Sequence, residues 1–165
     1  MGKTDIKSLP LEQLEQWAVE YGEKKFRAKQ LYQWMHVKLV DDPEQMSNLS
    51  AAFRQKIREN CTFTVLKQVT MQESALDGTR KYLFELEDHN MVESVLMRYK
   101  HGNSVCISSQ VGCRMGCRFC ASTLDGLVRN LTPAEMLDQI YQIQRDTGER
   151  VSNVVVMGSG EPLDN

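Results

Sequence analysis

Three cysteines lie within eight residues of one another, and this array constrains the fold more than any other feature of the chain. Cys113, Cys117 and Cys120 follow a C-x3-C-x2-C spacing. Three thiolates on one tight loop can hold three irons of a four-iron cluster and leave the fourth iron without a protein ligand. Gly112 and Gly116 would let the backbone turn tightly enough for such a loop.

An iron with an open position can bind a small molecule directly. The amino and carboxylate groups of S-adenosylmethionine can chelate it, and an electron from the cluster can then break the sulfonium bond to give a 5′-deoxyadenosyl radical. Phe119, between the last two cysteines, would pack against this cofactor and help to exclude water. The array alone indicates that S-adenosylmethionine is split, without indicating how the radical is used.

Two other interpretations of the cysteines are weaker. A zinc site usually takes a fourth Cys or His at short spacing, and the nearest histidine, His101, precedes the array. Three unrelated buried cysteines in so short a segment would be rarer still. The total of five cysteines is odd and no secretory signal is present, which disfavours a disulfide framework.

Composition describes an ordinary globular chain. The 165 residues suffice for a domain with a real core, and a hydrophobic content of 41% disfavours global disorder. No apolar run approaches the roughly 20 residues of a membrane span, and the N-terminus is unlike a signal peptide. We therefore expect a soluble, cytoplasmic protein.

The net charge of the chain does not indicate nucleic-acid binding. The net charge is −2, whereas nucleic-acid-binding proteins usually carry a basic excess. One local basic cluster stands against that total: Lys24, Lys25, Arg27 and Lys29. On their own these residues fit a solvated helix face as well as an RNA-binding surface.

Residues 1–60 show helical periodicity in three segments. A first helix, capped by Ser8, would end at Gly22. A second helix would span residues 26–39 and a third residues 50–58. We predict a three-helix accessory domain.

Residues 61–100 show the two-residue period of strands instead. Three strands separated by two turns are predicted there: residues 63–69, 82–86 and 91–97. We predict a small antiparallel β meander.

Residues 101–165 read as strand, loop, helix and strand, which is the opening of an α/β barrel or a doubly wound sheet. A strand at 104–109 leads into the cysteine loop, Thr132 caps a helix that runs to about Asp146, and a buried strand follows at 154–157. The predicted fold is an α+β N-terminal region followed by the start of a partial α/β barrel. A complete barrel needs about 250 residues, so we expect a fragment of a longer protein.

A glycine-rich turn, Gly158-Ser159-Gly160-Glu161-Pro162, ends the last predicted strand. Neighbouring parallel strands end at the same mouth of a barrel, so this turn would lie beside the cysteine loop. Its carbonyls and the Glu161 carboxylate can accept hydrogen bonds from the ammonium group of S-adenosylmethionine. Gly160 and Glu161 are therefore candidate cofactor-binding residues, and an ordinary strand-to-helix turn is the alternative.

Seven short segments, spread over nearly the whole chain, carry a resemblance to one family. They are FRAKQ from residue 26, DGTRKYLF from 77, VESV from 92, VCISSQVGC from 105, CRFCA from 117, GLVRNLT from 126 and GEPL from 160. In combination these segments resemble the radical S-adenosylmethionine methyltransferases that methylate C2 of an adenine in 23S ribosomal RNA.

The resemblance implies a [4Fe–4S] cluster and two molecules of S-adenosylmethionine. In this family one molecule methylates a cysteine near the C-terminus, and the radical from the second activates that methyl group for addition to adenine. A resolving cysteine then forms a disulfide and releases the product; the matching position is Cys106, and Glu93 matches the proton-accepting glutamate. The methyl-accepting cysteine would lie beyond Asn165, so this chain is not expected to complete the cycle alone.

The same resemblance implies the partners. They are 23S rRNA, with tRNA as a second candidate substrate, and an electron donor such as flavodoxin or ferredoxin, for a monomeric protein that binds no membrane. The helical domain with its cluster from Lys24 to Lys29 would then bind RNA through local patches and RNA shape.

This sequence departs from the family pattern at two positions. Ser159 stands where Met is common, and Thr123 or its neighbour stands where Gly is common. A sister group that methylates C8 of the same adenine typically has Ala after the Glu of the GE motif, so Pro162 favours C2. The alternative from a different class is a non-catalytic RNA-binding module with a structural metal loop.

Overall fold

The computed structural model describes residues 2–165 as two compact units, the first ending at Val65 and the second covering Leu66–Asn165. Each unit has its own hydrophobic core. The architecture is α+β, with four α-helices and both parallel and antiparallel strand pairs in the described part of the chain. No helix within residues 2–165 is long and apolar enough to cross a membrane.

Three helices and a parallel pair of very short strands build the first unit. In chain order they are β1 Thr4–Asp5, α1 Leu11–Glu20, α2 Lys25–His36, α3 Ala51–Asn60 and β2 Cys61–Thr62. The helices share a core that includes Leu14, Leu31 and Phe53, each fully buried. The three predicted helices are present, although their ends differ from the predicted ones by a few residues.

The two largest differences at helix ends have local causes. Ser8 does not cap α1, because its hydroxyl donates to Asp5 Oδ2 at 3.0 Å and Pro10 occupies the N-cap position. The second helix ends at His36, and the chain then turns through Leu39 at φ 55°. That left-handed conformation cannot continue a right-handed helix.

The second unit contains seven strands and one α-helix. In chain order they are β3 Lys67–Glu73, β4 Arg80–Glu85, β5 Met91–Tyr99, β6 Gly102–Cys106, β7 Gln110–Gly112, β8 Leu127–Asn130, α4 Pro133–Thr147 and β9 Val151–Val155. The main sheet has the strand order β3-β4-β5-β6-β9, antiparallel except for the parallel pair β6 and β9. Its core includes Tyr82, Phe84 and Val105 together with Ile143 of α4.

The predicted meander is present as β3, β4 and β5. The first of these strands begins at Lys67 rather than at residue 63, and its register to β4 shifts between Gln68 and Thr70. Val69 therefore lies at a β-bulge, which inserts one unpaired residue into a strand.

The predicted cap of α4 by Thr132 is confirmed, and it forms a capping box with Glu135. Thr132 Oγ1 accepts the Glu135 N–H at 3.2 Å, and the Glu135 carboxylate accepts the Thr132 N–H at 2.8 Å. Gly148 ends the helix in the left-handed conformation at φ 66°.

The prediction of a buried strand at residues 154–157 is wrong. The strand is β9, which has a neighbour on one side only. Val154 and Val155 are 43% and 37% exposed, and Met157 is 79% exposed. An apolar run indicates burial only where other elements cover the strand, and the position of β9 at the sheet edge leaves these side chains open.

Candidate cluster and cofactor site

The cysteine array lies in the loop between β7 and β8, which pair as an antiparallel hairpin. At the base of the loop the Cys113 N–H donates to the Gly126 carbonyl at 3.0 Å. Gly112, at φ 72°, approaches Gly126 so closely that a Cβ on it would lie 2.0 Å from the Gly126 oxygen. No side chain fits at position 112, so both ends of the loop are held at one point.

The three thiols share this loop but differ in exposure. Cys113 is buried, Cys120 is half-buried and Cys117 is exposed. The Cys120 N–H donates to the Cys117 carbonyl at 3.1 Å, and a single 3-10 turn, Ala121–Thr123, follows. In the part of the chain that the structure describes, no three His, Cys, Asp or Glu side chains are grouped closely enough to hold a metal ion.

The donor set on the loop nevertheless fits an iron–sulfur cluster. All five cysteines are free thiols, and three of them lie on a loop with fixed ends and an exposed middle. Thiolates are the ligands that iron–sulfur clusters take from proteins. Phe119, which we expect to pack against a cofactor, is 95% exposed on this loop.

The glycine-rich turn after β9 lies directly beside the segment that leads into the cysteine hairpin. The backbone N–H groups of Ser109 and Gln110 donate to the Ser159 carbonyl at 2.9 and 3.1 Å. Gly160, at φ 105°, is pressed against the same segment, because a Cβ on it would lie 2.6 Å from Gln110 Cβ. The parallel pairing of β6 and β9 brings the two segments together, as the sequence predicts.

Glu161 already uses part of its hydrogen-bonding capacity within the turn. Its carboxylate accepts the Leu163 N–H at 3.1 Å, and the residue is half-buried. An ionised carboxylate has about four lone-pair sites. Glu161 therefore keeps acceptor capacity for a further donor such as an ammonium group.

Glu93 and Cys106 lie on the same face of the main sheet. Cys106 pairs with Val95 of β5, and Glu93 is two residues further along that strand. Such diagonal neighbours have side chains on one face at about 7–8 Å. Ser94, on the other face, donates to α4, whereas the Glu93 side chain is 56% exposed and pairs with Lys81 Nζ at 3.0 Å.

Two fully buried glutamines around the site were missed by the sequence analysis. Gln139 of α4 accepts the Ser108 N–H at 2.9 Å and donates to the Ser108 carbonyl at 3.0 Å, which holds the chain between β6 and β7. The Gln110 side chain forms hydrogen bonds to Asn130, which follows the cysteine loop, and to Glu161 and Asp164, in and just after the glycine-rich turn. Its place three residues before Cys113 was the only signal in the sequence.

Two arginines close to the array in the sequence, Arg114 and Arg129, form ion pairs that hold neighbouring segments together. Arg129 pairs with Glu135 at 2.8 Å and with Asp88 at 2.6 Å. These carboxylates raise the pKa of Arg129, and the Arg129 guanidinium holds the pKa of Asp88 well below its usual range. Arg114 pairs with Asp164 and likewise lowers the pKa of that carboxyl group.

The basic cluster of the first unit is divided between different sides of α2. Lys24 is the N-cap residue, and Lys25 and Lys29 lie four residues apart on one side of the helix. Arg27 lies about 200° around the helix from Lys25, where its guanidinium donates to the Asn48 carbonyl at 2.9 Å. The structure therefore does not gather the four cations into one patch.

Comparison with known proteins finds relatives over the whole chain. Residues 4–63 match the family model described as the ribosomal RNA large subunit methyltransferase N-terminal domain, RlmN_N. A protein of Lachnospira eligens named probable dual-specificity RNA methyltransferase RlmN is 68% identical over 98% of this chain and 46% of its own length. A protein of Clostridium novyi with the same name is 51% identical over 98% of this chain and 47% of its own length.

A solved structure agrees with these sequence matches. The crystal structure of a radical SAM methyltransferase from Sphaerobacter thermophilus superposes with a TM-score of 0.87 at 36% identity, covering 98% of this chain and 48% of that one. The chain spans about half the length of the curated relatives it matches. These matches reach both units, and over its whole length the chain is similar to RlmN-type RNA methyltransferases.

Proposed function

We propose that this chain is part of an RNA methyltransferase that methylates C2 of an adenine in 23S rRNA through radical S-adenosylmethionine chemistry, with tRNA as a second substrate. The observation that carries the proposal is the cysteine loop held beside the glycine-rich turn, since a three-thiol loop and a carboxylate-bearing turn together suit S-adenosylmethionine. The relatives named as RNA methyltransferases support the same class. Pro162 after Glu161 favours C2 over C8.

Cys113, Cys117 and Cys120 would hold a [4Fe–4S] cluster, and Gly160 and Glu161 would bind the ammonium end of S-adenosylmethionine. When bound, the cluster and this cofactor supply a radical able to remove hydrogen from an unactivated carbon. The fixed base of the loop supports the proposal, because it leaves only the exposed middle to adjust around a ligand. The parallel unit formed by β6, α4 and β9 would be the first repeat of an α/β barrel.

Glu93 and Cys106 would act on the RNA once the methyl carbon is attached to adenine. The Glu93 carboxylate would accept the proton from C2. The Cys106 thiolate would attack the sulfur of the family's methyl-carrying cysteine, so that a disulfide forms while the sulfur–carbon bond to the RNA breaks and the released carbon takes a proton. Their position on one sheet face supports these roles. The pair with Lys81 does not exclude them, because exposed ion pairs contribute little and break readily.

The first unit would bind the RNA, and Lys24, Lys25, Arg27 and Lys29 are its proposed contacts. Trp34 of α2 would add an aromatic contact, since Lys38 Nζ, just beyond the end of the helix, lies 3.5 Å from the centre of its ring. Aromatic rings next to cations are suited to stacking with unpaired bases. The proposed protein would work as a cytoplasmic monomer that receives electrons from flavodoxin or ferredoxin.

Anaerobic reconstitution with iron and sulfide tests the cluster. We expect about four irons per chain and an electron paramagnetic resonance spectrum of the reduced cluster that changes when S-adenosylmethionine is added. Cys117→Ala should prevent stable loading, whereas Cys61→Ala, a buried thiol of the first unit, should load normally. Uptake of zinc without iron, or a spectrum indifferent to S-adenosylmethionine, would rule the enzyme out in favour of a structural metal loop.

Charge reversal tests the RNA contacts. Changing Lys24, Lys25, Arg27 and Lys29 together to Glu should weaken binding to a 23S rRNA fragment. The slope of log affinity against log salt concentration should become shallower by about 0.7 for each lost contact to a single-stranded phosphate. Replacing Lys25 and Lys29 by Arg keeps the charge and should leave binding intact; equal affinity and slope in the reversed variant would mean a solvated helix face.

A further inference from the structure

Gln110 connects three segments around the cysteine loop through one fully buried side chain. Its amide oxygen accepts the Glu161 N–H at 2.9 Å, from the glycine-rich turn. Its amide nitrogen donates to Asn130 Oδ1 at 2.9 Å, on the strand that leaves the loop, and to Asp164 Oδ2 at 3.2 Å. Gln110 itself lies on β7, the strand that enters the loop.

The contacts of the backbone allow little movement between Gln110 and the turn. A Cβ on Gly160 would come within 2.6 Å of Gln110 Cβ and 2.7 Å of its backbone nitrogen. The Gln110 N–H also donates to the Ser159 carbonyl at 3.1 Å. Leaving a buried amide without its partners is costly, so the turn cannot shift away from Gln110 without a clear penalty.

A second set of hydrogen bonds links the segment after the turn to the residue that follows Cys113. Arg114, the residue after Cys113, donates from Nε to Asp164 Oδ2 at 2.9 Å. Gln110 and Arg114 thus share one carboxylate, that of Asp164, from positions on either side of Cys113. The segment that carries Glu161 is therefore attached to the cysteine loop at its root.

We propose that Gln110 is a positioning residue that sets the place of the Glu161 turn relative to the cysteine loop, and thereby the affinity for the amino acid end of S-adenosylmethionine. The inference rests on the proposed function, in which one ligand contacts both the loop and the turn. A ligand held at two points binds best when their separation is fixed in advance. Gln110 touches neither the ligand nor a cysteine thiol in this role, and it acts through Glu161.

Gln110→Met in the cluster-loaded protein tests the proposal, because Met keeps the side-chain length and removes every amide hydrogen bond. We expect unchanged iron content, S-adenosylmethionine binding weakened about tenfold or more and a smaller spectroscopic response of the cluster at a fixed ligand concentration. Amide hydrogen exchange at residues 159–164 should be faster even before any ligand is added. The matched control is Gln144→Met, which loses the bond to Val151 N–H at the opposite end of β9 and should bind S-adenosylmethionine normally.

A second pair of variants covers the case in which Gln110→Met does not fold. Gln110→Glu retains the acceptor for the Glu161 N–H but places a carboxylate against Asp164, and binding should weaken. Adding Asp164→Asn exchanges donor and acceptor, since the amide introduced at position 164 can donate to the new carboxylate, and should restore much of the affinity. A double variant no better than Gln110→Glu would overturn the positioning role.

The two proposals fail in different ways. A wild-type cluster whose spectrum ignores S-adenosylmethionine removes the proposed function, and the inference with it. A responsive wild-type protein, together with a Gln110→Met protein that binds S-adenosylmethionine equally well, removes the inference alone. Faster amide exchange without any change in affinity also counts against it, because it would show a structural tie with no effect on the ligand.

Discussion

Two glycines of the cysteine loop have the same appearance in the sequence and different roles in the structure. Gly112 and Gly116 both have positive φ, at 72° and 69°. A Cβ at Gly112 would lie 2.0 Å from the Gly126 oxygen, whereas nothing lies within 4 Å of the corresponding point at Gly116. Gly116 is therefore needed only for its backbone conformation, and Gly112 also for the space that closes the hairpin.

Alanine at each glycine should separate these two requirements. Gly116→Ala should cost about 1–2 kcal/mol, the usual penalty for a side chain in the left-handed region, and still allow cluster loading. Gly112→Ala should cost clearly more and lower the iron content, because the base of the loop must open. Urea unfolding and iron analysis measure both effects, and equal losses in the two variants would contradict the explanation.

At the scale of elements, the helix α4 shows where local sequence is a reliable guide. Its start depends on Thr132, Pro133 and Glu135, which are neighbours in the chain and contact one another. The exposure of β9, in contrast, depends on which elements lie beside it, and no property of its valines reports that. The prediction of the helix start was therefore right and that of a buried strand wrong.

The capping box of α4 gives a prediction at this scale. Thr132→Ala should lower the free energy of unfolding of the second unit by about 1 kcal/mol, because the Glu135 N–H loses its acceptor. Thr132→Ser retains the hydroxyl and should stay close to the wild type. Denaturant unfolding followed by circular dichroism provides the comparison; an unchanged midpoint for Thr132→Ala would show that the cap is dispensable.

On the scale of the whole molecule, the first unit provides the partners of its fully buried charge, Lys7. Its core is separate from that of the second unit. The ammonium group of Lys7, fully buried, donates to the Thr64 carbonyl at 2.6 Å and pairs with Asp41 at 3.0 Å, both within the same unit. A buried charge is tolerable only with such partners, and here they lie on the same side of the division after Val65.

We therefore expect residues 1–65 to fold without the rest of the chain. The isolated segment should show helical circular dichroism and a cooperative thermal transition, although a chain this short is marginal. Phe53→Ala removes a fully buried core aromatic at a cost of about 3–5 kcal/mol and should abolish the transition. A gradual, non-cooperative change in the unaltered segment would show that it depends on the second unit.

The sequence by itself determined the features that depend on chain neighbours: the spacing of the cysteines, the capping box at Thr132, the turns of the meander and the segments that carry the family resemblance. Only the tertiary structure decided the features that depend on contacts between distant residues. These include the buried amide of Gln110, the contact between Gly112 and Gly126, and the open surface of β9. A residue's identity and local spacing are written in the sequence, but what covers it depends on how remote segments pack.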